Sequence, residues 1–546
     1  MDLVIGFSAV LFAVLRVSVS EQIDVSKLPE TYVAAVYEHA LISPRDAETT
    51  PTRKDALDLM YRNLKIYQKQ TQIAAEKNVQ IILFPEYGIT GFDQTRDSMV
   101  PYLEEVPDPK EIDWTPCVEP ERFANTEVQT ALSCMARKNS IHLVANMGSV
   151  VWCSNETDAT CPIDGRYQHN TNVVFDHNGR LIVRYRKYNL ADESPLMDPS
   201  PEAEFAFFDT PFGRFGTVIC ADLLFKQPTI ELIEKHGIKN ILLPSAWFNN
   251  PPFILAIQMY EGFAKSLNVN LLAANCRHRE YKMAGSGIFT GQTIANYTGA
   301  DFDDETGTLM MATVKSQPKQ IRQPRMSRPF MGRHHTNFAK YSPTSNETSR
   351  YEYLYGITFT YTFLPETKHK AEIELCHSKV CCFLEYSFKN KSKEEFFALG
   401  VASGAVKDTV AAYLDICILR KCNGSDPDSC NAVGVESAET TFEHLTLRGN
   451  FSSNYSFPLV TTTPVNGGFD LAETEYNFSR HGSTIHSRGF THPVLTVAIL
   501  GRNYEKDPET AFIPSISRTA FSVVSGSDKA CTTMWICTLS LVTLLI

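Results

Sequence analysis

Residues 208–228 read FDTPFGRFGTVICADLLFKQP. A turn sequence with proline and glycine leads into a short apolar run, 215–219, which delivers Cys220 into a second turn at Ala221-Asp222. Such a run bounded by turn signals is the pattern of a buried strand. Working outward, a helix-like segment over 229–236 separates it from a strand over 240–243. A helix over 253–267 and a strand over 269–274 follow. Upstream, 32–37 reads as a strand, 57–77 as an amphipathic helix and 79–84 (VQIILF) as a fully buried strand ending at Pro85-Glu86. A strand over 142–147 and a hairpin pairing 173–175 with 181–185 complete the series. The hairpin closes through Asp176-His177-Asn178-Gly179, a tight-turn sequence. Strands alternating with helices predict α/β layering, with helices covering a sheet.

The chain has 546 residues, more than one hydrophobic core usually supports, so two domains are expected. Between 315 and 350 basic residues and prolines gather (Lys315, Lys319, Arg322, Arg325, Arg328 and Arg333 among them), the composition of a solvated linker. Beyond it lie strand-like runs over 351–363, 380–388 and 494–500 and few helical periods, which predicts a β-rich second half. Cys376, Cys381, Cys382, Cys417, Cys422 and Cys430 would staple that half, in a pairing the sequence leaves open. Cys153 and Cys161 flank a short loop and suit a local bridge. The cysteine spacings do not form the paired clusters of a zinc site, so no zinc site is expected among them. A net charge of -11 argues against a nucleic-acid partner, because counterion release needs a basic face.

Both ends carry address-like segments. An apolar run over 3–15 followed by Ser18-Val19-Ser20 predicts a signal peptide over 1–20. At the other end Ser525 and Gly526 precede Asp528-Lys529 and an uncharged tail over 530–546. That is the order of a GPI-attachment signal spanning 525–546, with Ser525 or Gly526 as the attachment point. Sequons at Asn155, Asn296, Asn346, Asn390, Asn423, Asn450, Asn454 and Asn477 fit an extracellular glycoprotein anchored to the membrane by lipid.

Three strand ends carry the reactive groups. Glu86 follows an apolar strand, where partial desolvation raises a carboxyl pKa and suits it to proton transfer. Taken alone, a loop glutamate facing water is the commoner case. Lys187 lies in YRKYNL at the end of the run over 181–185, where an inward ammonium could lower a thiol pKa and hold an oxyanion. Cys220 has backbone amides after it, Ala221 first, placed to form an oxyanion hole. Its ordinary alternative is a disulfide or an inert core thiol. Together the three groups fit amide cleavage through a thioester.

FPEYG, YRKYNL and VICADLLF, in that order, resemble the Glu, Lys and Cys motifs of the nitrilase superfamily. SIHLVANMGS, the run from Cys161 to Leu190, residues 208–228, LLPSAWFNNPP and MAGSGIF extend the likeness to its vanin (pantetheinase) and biotinidase branch. The resemblance implies an αββα sandwich over 21–314, then the linker over 315–350 and a smaller disulfide-stapled β-rich domain over 351–524. It implies Glu86 as proton acceptor, Lys187 as oxyanion stabiliser and proton donor, and Cys220 as nucleophile, without a cofactor. Trp247 and Glu193 match positions near the substrate. The implied substrate is a small linear amide: pantetheine, split to pantothenate and cysteamine, or a biotinyl amide such as biocytin. A catalytically silent surface protein on the same scaffold is the third reading. The chain departs from the branch at Ala221, where relatives usually carry an aromatic residue.

Overall fold

In the computed structural model the first strand, β1 (Thr31–Ala40), has its whole centre buried, as its apolar run predicts. The structure describes residues 28–508 except 47–48, 192, 251, 300–305, 319–338, 342, 345–347, 354–355, 407–410, 432–434 and 464–468. The expected signal peptide, the GPI signal with Ser525 and Gly526, the Asn346 sequon and most of the basic linker lie outside the described residues.

Along the chain β1 is followed by α1 (Arg53–Glu76), β2 (Ile81–Leu83), α2 (Glu127–Asn139), β3 (His142–Trp152), β4 (Arg166–Phe175) and β5 (Leu181–Arg186). Then come β6 (Phe207–Thr210), β7 (Gly213–Thr217), α3 (Glu231–Glu234), β8 (Asn240–Ser245), α4 (Ala256–Leu267), β9 (Asn270–Arg277), β10 (Gly287–Phe289), β11 (Ile294–Tyr297) and β12 (Thr308–Lys315). One wing runs β5-β4-β3-β2-β1 with β12 beside β1; the other runs β6-β7-β8-β9 with β10 and β11 beyond. Among the described residues the wings pair as strands where His39 and Ala40 of β1 meet Cys276 and Arg277 of β9.

The alternation of side chains along each strand builds the layers. On β1 and β2, Ala34, Val36, Ile81 and Leu83 share a core with Phe215, Ile241 and Leu271 of the second wing. Their neighbours Ala35, Tyr37 and Ile82 face the other way, onto Leu59, Met60 and Leu64 of α1 and Val128 and Leu132 of α2. Helix, sheet, sheet, helix is the resulting order, because α4 covers the outside of the second wing. Nearly every residue of α4 is buried, Gln258 and Glu261 included, and Lys265 pairs with Glu261 at 2.9 Å. Its far side is covered by the second half of the chain: Phe263 stacks on Phe457 at 5.8 Å, and Ser266 Oγ donates to Ser456 O at 2.6 Å. One apolar core therefore runs from β1 through α4 into the second half.

That second half is two β-sheets of six and seven strands with no α-helix among the described residues. Disulfides Cys376–Cys381, Cys382–Cys417 and Cys422–Cys430 staple it, while Cys117–Cys134 and Cys153–Cys161 lie in the first half. The run over 351–363, read as a single strand, is instead a hairpin of Ser349–Tyr353 and Ile357–Phe363, with Gly356 at φ 73° near the reversal. The helix expected over 229–236 is observed as α3 with a helical lead-in over Lys226–Ile230, in which Gln227 is extended. No described helix is long and apolar enough to cross a membrane.

Candidate active site

Glu86 lies three residues beyond β2, Lys187 directly after β5 and Cys220 three residues beyond β7. Sheet ends thus bring Glu86 and Lys187 together across 101 positions. Lys187 Nζ donates to Glu86 Oε1 at 2.8 Å, with both side chains 2% exposed. Glu86 accepts twice more, from Asn170 Nδ2 at 2.7 Å and from the amide of Ala246, just past β8, at 2.8 Å. Lys187 Nζ also donates to Glu193 Oε1, and Glu193 Oε2 accepts the Ala191 amide at 2.9 Å. Lys187 is held between two carboxylates in a site closed to bulk water.

Cys220 and Cys276 are the two free cysteines among the described residues, both buried. Cys220 opens the 3-10 turn Cys220–Leu224 with φ at 42°, in the left-handed region. For a residue with a Cβ that conformation costs roughly 1–3 kcal/mol and persists only where neighbours enforce it. Asp222 enforces it. Its carboxylate accepts the Ile219 amide at 3.0 Å and the Tyr185 hydroxyl at 2.6 Å. It also accepts the Asn189 amide at 2.9 Å and Asn189 Nδ2 at 2.8 Å. Tyr185 and Asn189 flank Lys187 by two residues on either side, so Asp222 ties the cysteine's turn to the lysine's strand end.

Electrostatics divide the roles that these groups can take. Burial pushes the Cys220 thiol well up, the Glu86 carboxylate adds to the rise, and Lys187 only partly offsets it. The resting sulfur is therefore a neutral thiol that needs a base as it attacks. Burial also raises Glu86, with Lys187 lowering it and Glu193 raising it again. Burial opposes the Lys187 charge, but Glu193 and Glu86 outweigh it and hold the ammonium well above the ordinary lysine value. The arrangement can move one proton between Cys220 and Glu86 beside a permanent positive charge.

Every described residue expected at the site is found at or beside it. Ala221 is buried in the same turn as Cys220. Trp247 is buried just past β8; its amide donates to Asn275 Oδ1 at 2.7 Å, its indole donates to Ile254 O at 3.2 Å, and its ring meets Tyr260 edge-on. Its indole N–H is thus spent within the protein, which leaves the ring an apolar surface. The described sequon residues Asn155, Asn296, Asn390, Asn423, Asn450, Asn454 and Asn477 are all exposed. Cys153 and Cys161 are bridged as expected.

Sequence reasoning missed the groups that hold the three in place. Asn146 accepts the Tyr87 amide at 2.9 Å and donates to Asn170 at 2.6 Å and Asn172 at 3.1 Å. The signal was present: Asn170 and Asn172 stand buried within β4, and asparagine is a residue that strands usually avoid. Cys276, the other free thiol, donates to the Glu86 backbone carbonyl at 2.9 Å and lies behind the site.

The family model "Carbon-nitrogen hydrolase" matches residues 42–250, the stretch that supplies Glu86, Lys187 and Cys220. The model "Vanin C-terminal domain" matches 351–507, the two sheets of the second half. The chain belongs to the vanin and biotinidase family of carbon–nitrogen hydrolases, enzymes acting on amide bonds other than peptide bonds. It is 39% identical over 499 residues to a pantetheinase from Sus scrofa, covering 91% of this chain and 93% of that protein. It is 37% identical over 532 residues to a pantetheinase from Bos taurus, covering 97% and 99%. A biotinidase from Mus musculus is 38% identical over 522 residues, covering 90% and 96%. Among solved structures, a Nesterenkonia amidase from the nitrilase superfamily overlays with a TM-score of 0.37 at 16% identity, covering 53% of this chain and 92% of that one.

Proposed function

We propose that this chain hydrolyses pantetheine to pantothenate and cysteamine, with Cys220 as nucleophile, Glu86 as general base and acid, and Lys187 as oxyanion stabiliser. Cys220 Sγ attacks the amide carbon while Glu86 takes the thiol proton. The carbonyl oxygen becomes an oxyanion held by the Lys187 ammonium and the Ala221 amide. The C–N bond then breaks; Glu86 returns the proton to the departing amine and a thioester remains on Cys220. Water attacks the thioester with Glu86 again as base, and the acid leaves as the thiol re-forms. The observation that carries this reading is the contact of Lys187 with Glu86 at 2.8 Å in a buried site, next to a free cysteine that both groups influence electrostatically.

A second reading, cleavage of biotinyl amides, is supported by the biotinidase relative, whose identity is close to that of the pantetheinases. Cysteamine release from pantetheine, assayed beside cleavage of biotinyl-4-aminobenzoate, separates the two. Activity on the first alone supports the proposal, and activity on the second alone replaces it. Activity on neither, with folded protein, favours a silent scaffold. The location belongs to the same proposal: a secreted glycoprotein with a signal peptide over 1–20 and a lipid anchor added at Ser525 or Gly526. The proposed domains span 21–314 and 351–524.

A further inference from the structure

We propose that Arg502, from the second half of the chain, is a positioning residue for the nucleophile, so that the β-rich half completes the active site. The inference rests on Cys220 being the nucleophile.

Arg502 ends the strand Val494–Arg502 and is fully buried. Its Nε donates at 2.8 Å to the carbonyl of Leu224, the last residue of the turn that Cys220 opens. The rest of the guanidinium is anchored within its own half. Nη1 donates to Tyr413 O at 2.6 Å and to Asp507 Oδ1 at 3.0 Å, and Nη2 donates to Asp507 Oδ2 at 2.8 Å. A planar fork fixed on one side by a bidentate carboxylate holds its remaining N–H in a set direction. That N–H grips the far end of the nucleophile's turn, while Asp222 grips the near end through the Ile219 amide. Cys220 sits between the two grips with φ at 42°, a conformation that relaxes when either grip is lost.

The loop that carries Trp247 is braced in the same way. It contains Ile254 at φ 63°, unfavourable for a β-branched residue. Thr496, on the same strand as Arg502, donates through Oγ1 to Pro252 O at 2.9 Å. Gln258, which donates to that same carbonyl, also donates to Thr461 of the second half. Two strained active-site segments each meet a side chain from one strand of the second half. A purely structural interface has no reason to end on both.

The test uses the full-length enzyme with Arg502→Gln, Arg502→Lys and the control Tyr455→Phe. Tyr455 crosses the same boundary, donating to Glu234 Oε2 at 2.8 Å, but ends on α3 rather than on the nucleophile's turn. Each variant is read for kcat and KM on pantetheine, for the rate of iodoacetamide alkylation at Cys220 by mass spectrometry, and for melting temperature. Arg502→Gln is expected to lower kcat at least about tenfold with little change in KM, since small misplacements of a reacting group cost that much or more. Alkylation at Cys220 slows with it. Arg502→Lys recovers part of the loss because an ammonium still reaches one of the three acceptors, and Tyr455→Phe stays near wild type. Wild-type kcat in Arg502→Gln, a lysine variant no better than the glutamine one, or an equal loss in Tyr455→Phe overturns the proposal. If Arg502→Gln does not fold, the lysine variant decides. If the unmodified enzyme releases no cysteamine, the functional reading fails, and alkylation alone still decides whether Arg502 positions the thiol.

Discussion

Asn170 offers the sharpest single perturbation of the proton-transfer group. Its Nδ2 is one of three donors to the Glu86 carboxylate, at 2.7 Å, and its Oδ1 accepts from Asn146 at 2.6 Å. Asn170→Ala removes a charge-assisted bond in a site closed to water and leaves one Asn146 donor short of a partner. Hydrogen bonds to charged groups are worth about 1.5–3 kcal/mol. If that stabilisation bears on the reacting carboxylate, kcat/KM falls by roughly ten- to 150-fold at neutral pH. The sign of the pH effect follows from the same contact. A donor to the ionised carboxylate favours the charged form, so its loss raises the Glu86 pKa further in the direction burial already drives it. The base must be ionised in the free enzyme, so the acidic limb of the kcat/KM profile moves to higher pH and part of the lost activity returns on the alkaline side. The assay is cysteamine release across pH with the folded variant. An equal loss at every pH, with the limb unmoved, would refute the assignment and reduce Asn170 to a structural role through Asn146.

Further outcomes follow from other contacts. Gly262→Ala on α4 would place a Cβ 2.2 Å from the Pro458 carbonyl; overpacking of this kind costs about 1–3 kcal/mol, and calorimetry should show a lower melting temperature. Replacing Cys382 and Cys417 by serine opens a cross-link with a sequence separation of 35 residues, for which chain entropy gives about 4 kcal/mol of lost stability, measurable by denaturant unfolding. Cys276→Ala removes only a neutral donor to the Glu86 carbonyl; such a bond is worth about 1 kcal/mol, so turnover should fall no more than about fivefold. Complete loss there would transfer suspicion to that thiol.

Those parts of the molecule governed by local pattern were legible in the sequence. The apolar run before Glu86, the turn at Asp176 to Gly179 and the amphipathic spacing of α1 lead directly to elements that are observed. Helix α2 is hidden in the sequence because polar residues dominate between Val128, Leu132, Met135 and Ala136, which repeat at helical spacing and are buried. The three reactive groups were visible as charged or nucleophilic residues at strand ends. Their supports were not. Asn170 reaches Glu86 across 84 positions and Arg502 reaches Leu224 across 278, and nothing local to an asparagine or arginine shows which distant carboxylate or carbonyl it will meet. Asp222 lies two residues from Cys220, and locally its sequence signals only a turn. Its importance comes from Tyr185 and Asn189, which the fold brings to it from the strand end that carries Lys187.

On the proposed mechanism the acyl group of the substrate becomes covalently attached to Cys220 Sγ. Acid quench of the enzyme turning over pantetheine, followed by proteolysis and mass spectrometry, should find the pantothenoyl mass on the peptide that contains Cys220, and the adduct should vanish in Cys220→Ala together with turnover. An adduct on Cys276, or steady turnover by the Cys220→Ala enzyme, would contradict the account.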